Sequence, residues 1–241
     1  DAAVLSRAKL YRYSHLDADS LESCLARAGK MRKLIATDAV FSMDGDIAPV
    51  PALLDLCEKY DAWLLLDDAH GFGVLGNGRG ILSQFDVSSP RIVYVGTLGK
   101  AAGVSGAFVA GAKELVEMLV QRSRSYIYTT AQPPLLAEAI IESLELIGEE
   151  SWRRSHLGDL VSRLKAELGD ALMPSVTPIQ PLIVGGNEAC LELSSNLEKK
   201  GMLVPAIRPP TVPKGSARLR ISLSASHSFD DIDRLAAALK K

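Results

Sequence analysis

Short apolar runs that end on polar residues, spaced by helical or glycine-rich stretches, constrain this chain most. KLIATDAV, from Lys33 to Val40, is β-branched and apolar, as a buried strand is. A polar loop, SMDGDIAP, follows it. Then comes a helix from Val50 to Tyr60, with Pro51 near its start, where a missing N–H does no harm. AWLLLD, Ala62 to Asp67, is a continuous apolar run typical of a central parallel strand. RIVYVG, Arg91 to Gly96, and GAFVA, Gly106 to Ala110, read as two more strands. Helices follow from Ala112 to Arg122 and, opened by a proline pair, from Pro133 to Ile147. This alternation predicts an α/β fold, with a mostly parallel sheet and helical crossovers.

After about Gly148 the texture changes. Trp152 to Leu172 reads as a long helix, and Pro181 to Val184 and Met202 to Ala206 as short strands. RLRISL, Arg218 to Leu223, alternates polar and apolar as a half-exposed strand does, and a last helix runs from Asp230 to Leu239. The expected division is residues 1–147 as part of a large domain and 148–241 as a smaller α/β domain.

Composition narrows the function classes. The 27 basic residues against 29 acidic ones give a net charge of −2, which argues against a nucleic-acid surface or a basic membrane anchor. No apolar run has the length of a membrane span. Cys24, Cys57 and Cys190 are far apart and show no metal spacing, so a reducing cytoplasm is the expected home. The opening, DAAVLSRAK, has no signal sequence and reads as the tail of a segment already under way.

In parallel sheets, ligands bind at the carboxyl ends of strands. Three such ends carry polar groups here: Ser42, the segment Asp67 to His70, and the segment Thr97 to Lys100. Lys100, in GTLGKAAG, is poorly placed for a solvated surface role and is a candidate Schiff-base lysine. From that segment alone, a plain loop lysine reads equally well. Asp67 caps a buried apolar strand, a costly place for a carboxylate unless a cation meets it, and a protonated pyridine nitrogen would. His70 stands three residues on, within range of such a ring's phenolic oxygen. An isolated D-x-x-H is also common as a loop cap with a satisfied histidine. The Thr97 hydroxyl and the nearby glycine amides suit a phosphate.

Three other strings compete. GFGVLGNGRG holds a G-x-G-x-x-G, but no apolar helix opens after it and no ribose-binding acid follows at the expected distance. LLLDD resembles a magnesium-binding strand, yet GTLGKA lacks the phosphate-loop spacing and hydroxyl that would go with it. Asp44 and Asp46 in MDGD could hold a metal, but without a histidine nearby a tight turn about Gly45 is expected, and no metal ligand is assigned.

FSMDGDIAPV, LLLDDAHGFGVLGNGRG, GTLGKAAGVSGA and IRPPTVPKGSARLRISL occur in this order across the chain. Together they resemble the α-oxoamine synthases, which are fold-type-I pyridoxal-phosphate enzymes. The resemblance implies that pyridoxal 5′-phosphate is carried covalently on Lys100, with Asp67 at the ring nitrogen. It implies Ser42 and His70 at the phenolic oxygen side and Thr97 at the phosphate. Arg208 and Thr211, in RPPTVP, fall on the substrate side of the small domain. Thr129 and Thr130, in YIYTTAQPP, resemble residues that reach the phosphate of a neighbouring subunit, which implies a homodimer.

The implied reaction is an acyl transfer on the branch that serves biotin synthesis. It is the decarboxylative condensation of L-alanine with a pimeloyl thioester, on coenzyme A or an acyl carrier protein. Glycine-using members such as 2-amino-3-ketobutyrate CoA ligase are the alternative. The family also carries a region ahead of the residues matching Asp1, with a ring-stacking histidine and a phosphate-binding segment. The chain is therefore expected to be a truncation, and by itself an inactive one; a non-catalytic fragment is the alternative of another class.

Overall fold

The computed structural model describes residues 2–240. In chain order the elements are α1 (Ala2–Leu5), α2 (Ala18–Ala28), β1 (Lys33–Asp38), α3 (Val50–Tyr60), β2 (Ala62–Asp67), α4 (Ile81–Gln84), β3 (Ile92–Thr97) and β4 (Ala107–Ala110). They continue as α5 (Lys113–Arg122), α6 (Arg124–Ile127), α7 (Pro134–Glu149), α8 (Ser151–Leu168), β5 (Ile179–Gly185), α9 (Asn187–Glu198), β6 (Ala206–Ile207), β7 (Ala217–Ser222) and α10 (Phe229–Leu239).

A first sheet has the order β1-β2-β3-β4, with β1, β2 and β3 parallel and β4 antiparallel. Leu64 and Leu66 point to one face and are fully buried, while Trp63 on the other face is 38% exposed. That alternation follows from the two-residue period of a strand. α3 lays Leu53, Leu56 and Cys57 against the buried face, at helical spacing, with Pro51 in its first turn. It stops at Asp61, whose backbone is left-handed and whose N–H returns to the Cys57 carbonyl.

A second sheet has the order β5-β7-β6, all pairs antiparallel, and its core is separate from the first. α10 closes on it with Ile232, Leu235 and Ala236, and starts at a capping box between Ser228 and Asp231.

Three readings from the sequence need correction. No strand runs from Met202 to Ala206, because β6 is only Ala206–Ile207. Pro205, which has no N–H, accepts a bond from the Arg220 amide instead of extending the strand. Nor is the RLRISL strand half-exposed: β7 is the central strand of its sheet, and Arg218 is 4% exposed. Arg218 and Arg220 face the loop at Ser42–Gly45 in the first unit rather than water. β1 also ends at Asp38, two residues before the expected Val40, which forms an isolated bridge to Ile47 across the MDGD turn.

Candidate active site

The parallel register brings the strand ends level. Asp38 at the end of β1 lies opposite Asp67 at the end of β2, and Thr97 closes the neighbouring β3. The chain leaves β2 and β3 through short loops, so His70 and Lys100 return over the same edge. There Lys100 Nζ lies 2.9 Å from His70 Nε2. Asp67 accepts a bond from the Ala69 amide at 3.0 Å, which fixes the carboxylate at the mouth of its loop.

The charges in this cluster are mutually perturbed. Burial is the main cause that holds the Lys100 ammonium below its ordinary pKa; Arg220 adds to it, while Asp67 and Asp38 oppose it. Burial also depresses His70, to about 4, with Lys100 and Arg220 acting the same way and Asp67 against. His70 is therefore an uncharged imidazole at neutral pH. Asp38 is raised, first by burial and then by the Asp67 carboxylate beside it, against Lys100. Two adjacent carboxylates, an amine held toward its neutral form and a neutral imidazole are what a cationic heterocycle with an aldehyde needs. The ring nitrogen would meet the acids and the aldehyde would meet the amine.

Asp38 and Arg220 are the two residues of this group that the sequence reading missed. Asp38 had a signal, since KLIATD ends on an acid just as AWLLLD does. Arg220 had none, because only the folded chain brings β7 to the edge of the first sheet.

Ser42 lies on the loop after β1, and its carbonyl accepts a bond from Arg220 Nε. Thr97 Oγ1 accepts a bond from the Gly99 amide at 3.4 Å and donates to the Gly106 carbonyl at 3.3 Å, which draws the GTLGK turn tight. Arg208 and Thr211 share one exposed turn of the second unit, closed by the Thr211 amide on the Arg208 carbonyl at 3.0 Å. Thr129 and Thr130 are exposed beyond α6, and among the described residues neither bonds to the Lys100 group.

Asp68, next to Asp67, is a different kind of residue. It is fully buried, and its Oδ2 accepts from Tyr94 Oη at 2.6 Å and from the Ile81 amide at 2.7 Å. It organises the GFGVLGNGRG loop, so that string is a structural turn and not a nucleotide cradle. Gly71 and Gly80 stand so close to the Asp68 carboxylate that a Cβ on either would lie 2.1 or 2.2 Å from its oxygens.

At MDGD the expected turn forms about Gly45, but the expectation that no histidine lies near is corrected. His15 Nε2 is 2.7 Å from Asp46 Oδ2, and Asp44, His15 and Asp46 could meet one cation. Asp44 is already engaged by the Arg218 guanidinium.

The family model for aminotransferases of class I and II matches residues 1–239. The chain belongs to that family. This aminotransferase-family chain is 62% identical over 245 residues to the 8-amino-7-oxononanoate synthase of Nitrosospira multiformis, and 58% identical to that of Aromatoleum aromaticum. It spans 62% and 64% of their lengths, less than two thirds of either. Among solved structures, a serine palmitoyltransferase of Sphingomonas wittichii superposes with a TM-score of 0.91 at 29% identity, over 97% of this chain and 60% of that one. The 8-amino-7-oxononanoate synthase of Francisella tularensis superposes at 0.84 with 31% identity, over 98% of this chain and 68% of that one. The resemblance to α-oxoamine synthases and the fold-type-I α/β class read from the motifs are borne out.

Proposed function

We propose that this chain carries the catalytic face of a pyridoxal-phosphate acyltransferase. The reaction joins L-alanine to a pimeloyl thioester, on coenzyme A or an acyl carrier protein, and yields 8-amino-7-oxononanoate for biotin synthesis. The observation that carries this reading is the Lys100–His70 contact of 2.9 Å above the paired acids Asp38 and Asp67. The names of the similar proteins give the substrate class.

Bound pyridoxal phosphate supplies an electron sink for the carbon next to the substrate amine. The chain's own residues would do the rest. Lys100, whose ammonium is disfavoured by burial, would offer the amine that holds the cofactor and a base for the proton on that carbon. His70, uncharged at neutral pH and 2.9 Å from Lys100 Nζ, would exchange a proton with Lys100 and, with Ser42, would offer a hydrogen bond to the cofactor's phenolic oxygen. Asp67 supplies the negative charge that holds a ring nitrogen protonated. Thr97 and the tight GTLGK turn offer a hydroxyl and amides to the phosphate. Arg208 and Thr211 offer a guanidinium and a hydroxyl to the substrate carboxylate from the second unit.

A homodimer is part of the proposal. α5, α6 and α7 bury no residue, and Tyr126, Tyr128 and Leu135 are 61%, 73% and 77% exposed. An apolar surface of that extent needs a partner, and Thr129 and Thr130 lie on it. The break between units is put near residues 147 and 148, which fits the two separate cores and the end of α7 at Glu149. No described helix is long and apolar enough to cross a membrane. A cytoplasmic home fits the three buried free thiols.

The test is thiol release from pimeloyl-coenzyme A by the protein at its natural length, with cofactor and either alanine or glycine. Alanine-dependent release is expected to exceed that with glycine by about 10-fold or more, the scale on which a pocket reads one methyl group. Preferred use of glycine with a short acyl thioester would move the chain to the other branch.

A further inference from the structure

The turn that carries Lys100 closes mostly on itself. The Leu98 amide donates to the Gly106 carbonyl, and the Val104 amide to the Leu98 carbonyl, both at 2.9 Å. The Gly103 amide donates to the Lys100 carbonyl, also at 2.9 Å. Among the described residues, one side chain from another element bonds to the backbone of this turn: Ser143 Oγ, on α7, donates to the Ala102 carbonyl at 2.6 Å. Ala102 is 4% exposed, so without Ser143 its carbonyl would be left unsatisfied and short of water. Ala102 also stands midway between Thr97, the end of β3, and Ala107, the start of β4, where the sheet constrains the turn least.

A serine in mid-helix ordinarily bonds a carbonyl of its own helix or faces water. Half-buried Ser143 does neither, since its partner lies 41 positions away. Ile147, one helical turn further on, serves the same side of α7. A Cβ built on Gly73 would lie 3.5 Å from Ile147 Cδ1, and one on Gly78 would lie 2.7 Å from Ile147 Cγ2. Ile147 therefore closes over the loop that follows His70. The two loops also touch each other: Gly73 has a φ of +81°, and a Cβ there would lie 2.5 Å from the Ala101 Cβ. One side of α7 thus holds both loops that meet at the 2.9 Å Lys100–His70 contact, the first by a hydrogen bond and the second by packing.

We propose that Ser143 is a positioning residue for Lys100, whose hydroxyl fastens the Lys100 turn to α7 and so keeps the amine in register with His70. The proposal rests on the reading of Lys100 as the cofactor-bearing amine and deepens it. A lysine reaches its partner through a flexible four-carbon stem, so its aim depends on how firmly its backbone is held. A small misplacement of a reacting group is costly, and the bond to Ala102 prevents one at the point where the strands do not.

The experiment uses the protein at its natural length, without cofactor, as wild type, Ser143→Ala and Ser143→Thr, each shown folded by circular dichroism. Deuterium exchange is read at the Gly103 and Val104 amides, and carbethoxylation of His70 is read by peptide mass spectrometry. In Ser143→Ala both rates should rise about 5-fold, the scale of one net hydrogen bond. Ser143→Thr keeps the hydroxyl, so both should stay at the wild-type values. Unchanged rates in Ser143→Ala overturn the proposal. Faster exchange in the turn with unchanged His70 labelling overturns it too, because a merely structural bond would behave so. So does a rise spread along α7 and the second unit alike, or a Ser143→Thr that matches Ser143→Ala. If Ser143→Ala does not fold, Ser143→Cys, which keeps the size and weakens the donor, is read in its place with the same outcomes. Pyridoxal phosphate is then added to the wild type and its binding read by absorbance. Failure to bind would sink the cofactor reading alone and leave the exchange and labelling comparison standing.

Discussion

Between pH 6.5 and about 4, His70 takes up a proton in the unfolded chain but not in the folded one, because burial and the neighbouring cations depress it. The sign follows from linkage. Above pH 6.5 neither state is protonated and the full contribution is present; as pH falls through the window, proton uptake favours the unfolded chain. Stability should therefore drop on acidification, and His70→Gln should flatten that drop. The check is the melting temperature at pH 7 and pH 4.5 in both proteins. An equal fall in the two would mean that His70 is solvated rather than buried against Lys100. The same residue scale explains what the sequence could reveal. Lys100, Asp67 and Thr97 were legible because each follows a recognisable buried strand, where a polar group needs a reason. His70 was legible only as a neighbour of Asp67.

At the scale of elements, the seam between the units depends on one turn. Gly45→Ala would force a strained backbone and a clash with the Ile179 carbonyl oxygen. The expected cost is about 1–3 kcal/mol of stability, the usual range for such strain. Denaturant unfolding checks it, and an unchanged midpoint would show that the turn and Ser175 yield easily. The helices and most strands could be read from period and proline placement, since α3, β2 and α10 follow local rules. β7 could not. Its arginine–leucine alternation has the same pattern whether the polar face meets water or another unit, and only tertiary packing distinguishes them. Asp38 was hidden for a related reason: the strand was read two residues too long, which concealed an acid at its end. His15 beside Asp46 is a contact across 31 positions, beyond any local pattern.

At the scale of the whole molecule, α5 to α7 form a surface that the described chain leaves bare. If a second copy covers it, sedimentation at micromolar concentration should give a dimer. The double variant Tyr128→Glu with Leu135→Glu should shift it to monomer, since two charges would enter an apolar contact. A wild-type monomer at every concentration would contradict the dimer. The proposed function depends on one claim, that the strand-end cluster exists to hold pyridoxal phosphate on Lys100. Incubating the protein with excess cofactor, reducing with borohydride and mapping the labelled peptide tests that claim most directly. A single adduct on Lys100, lost in Lys100→Ala, is the predicted result; no adduct, or an adduct on another lysine, would contradict it.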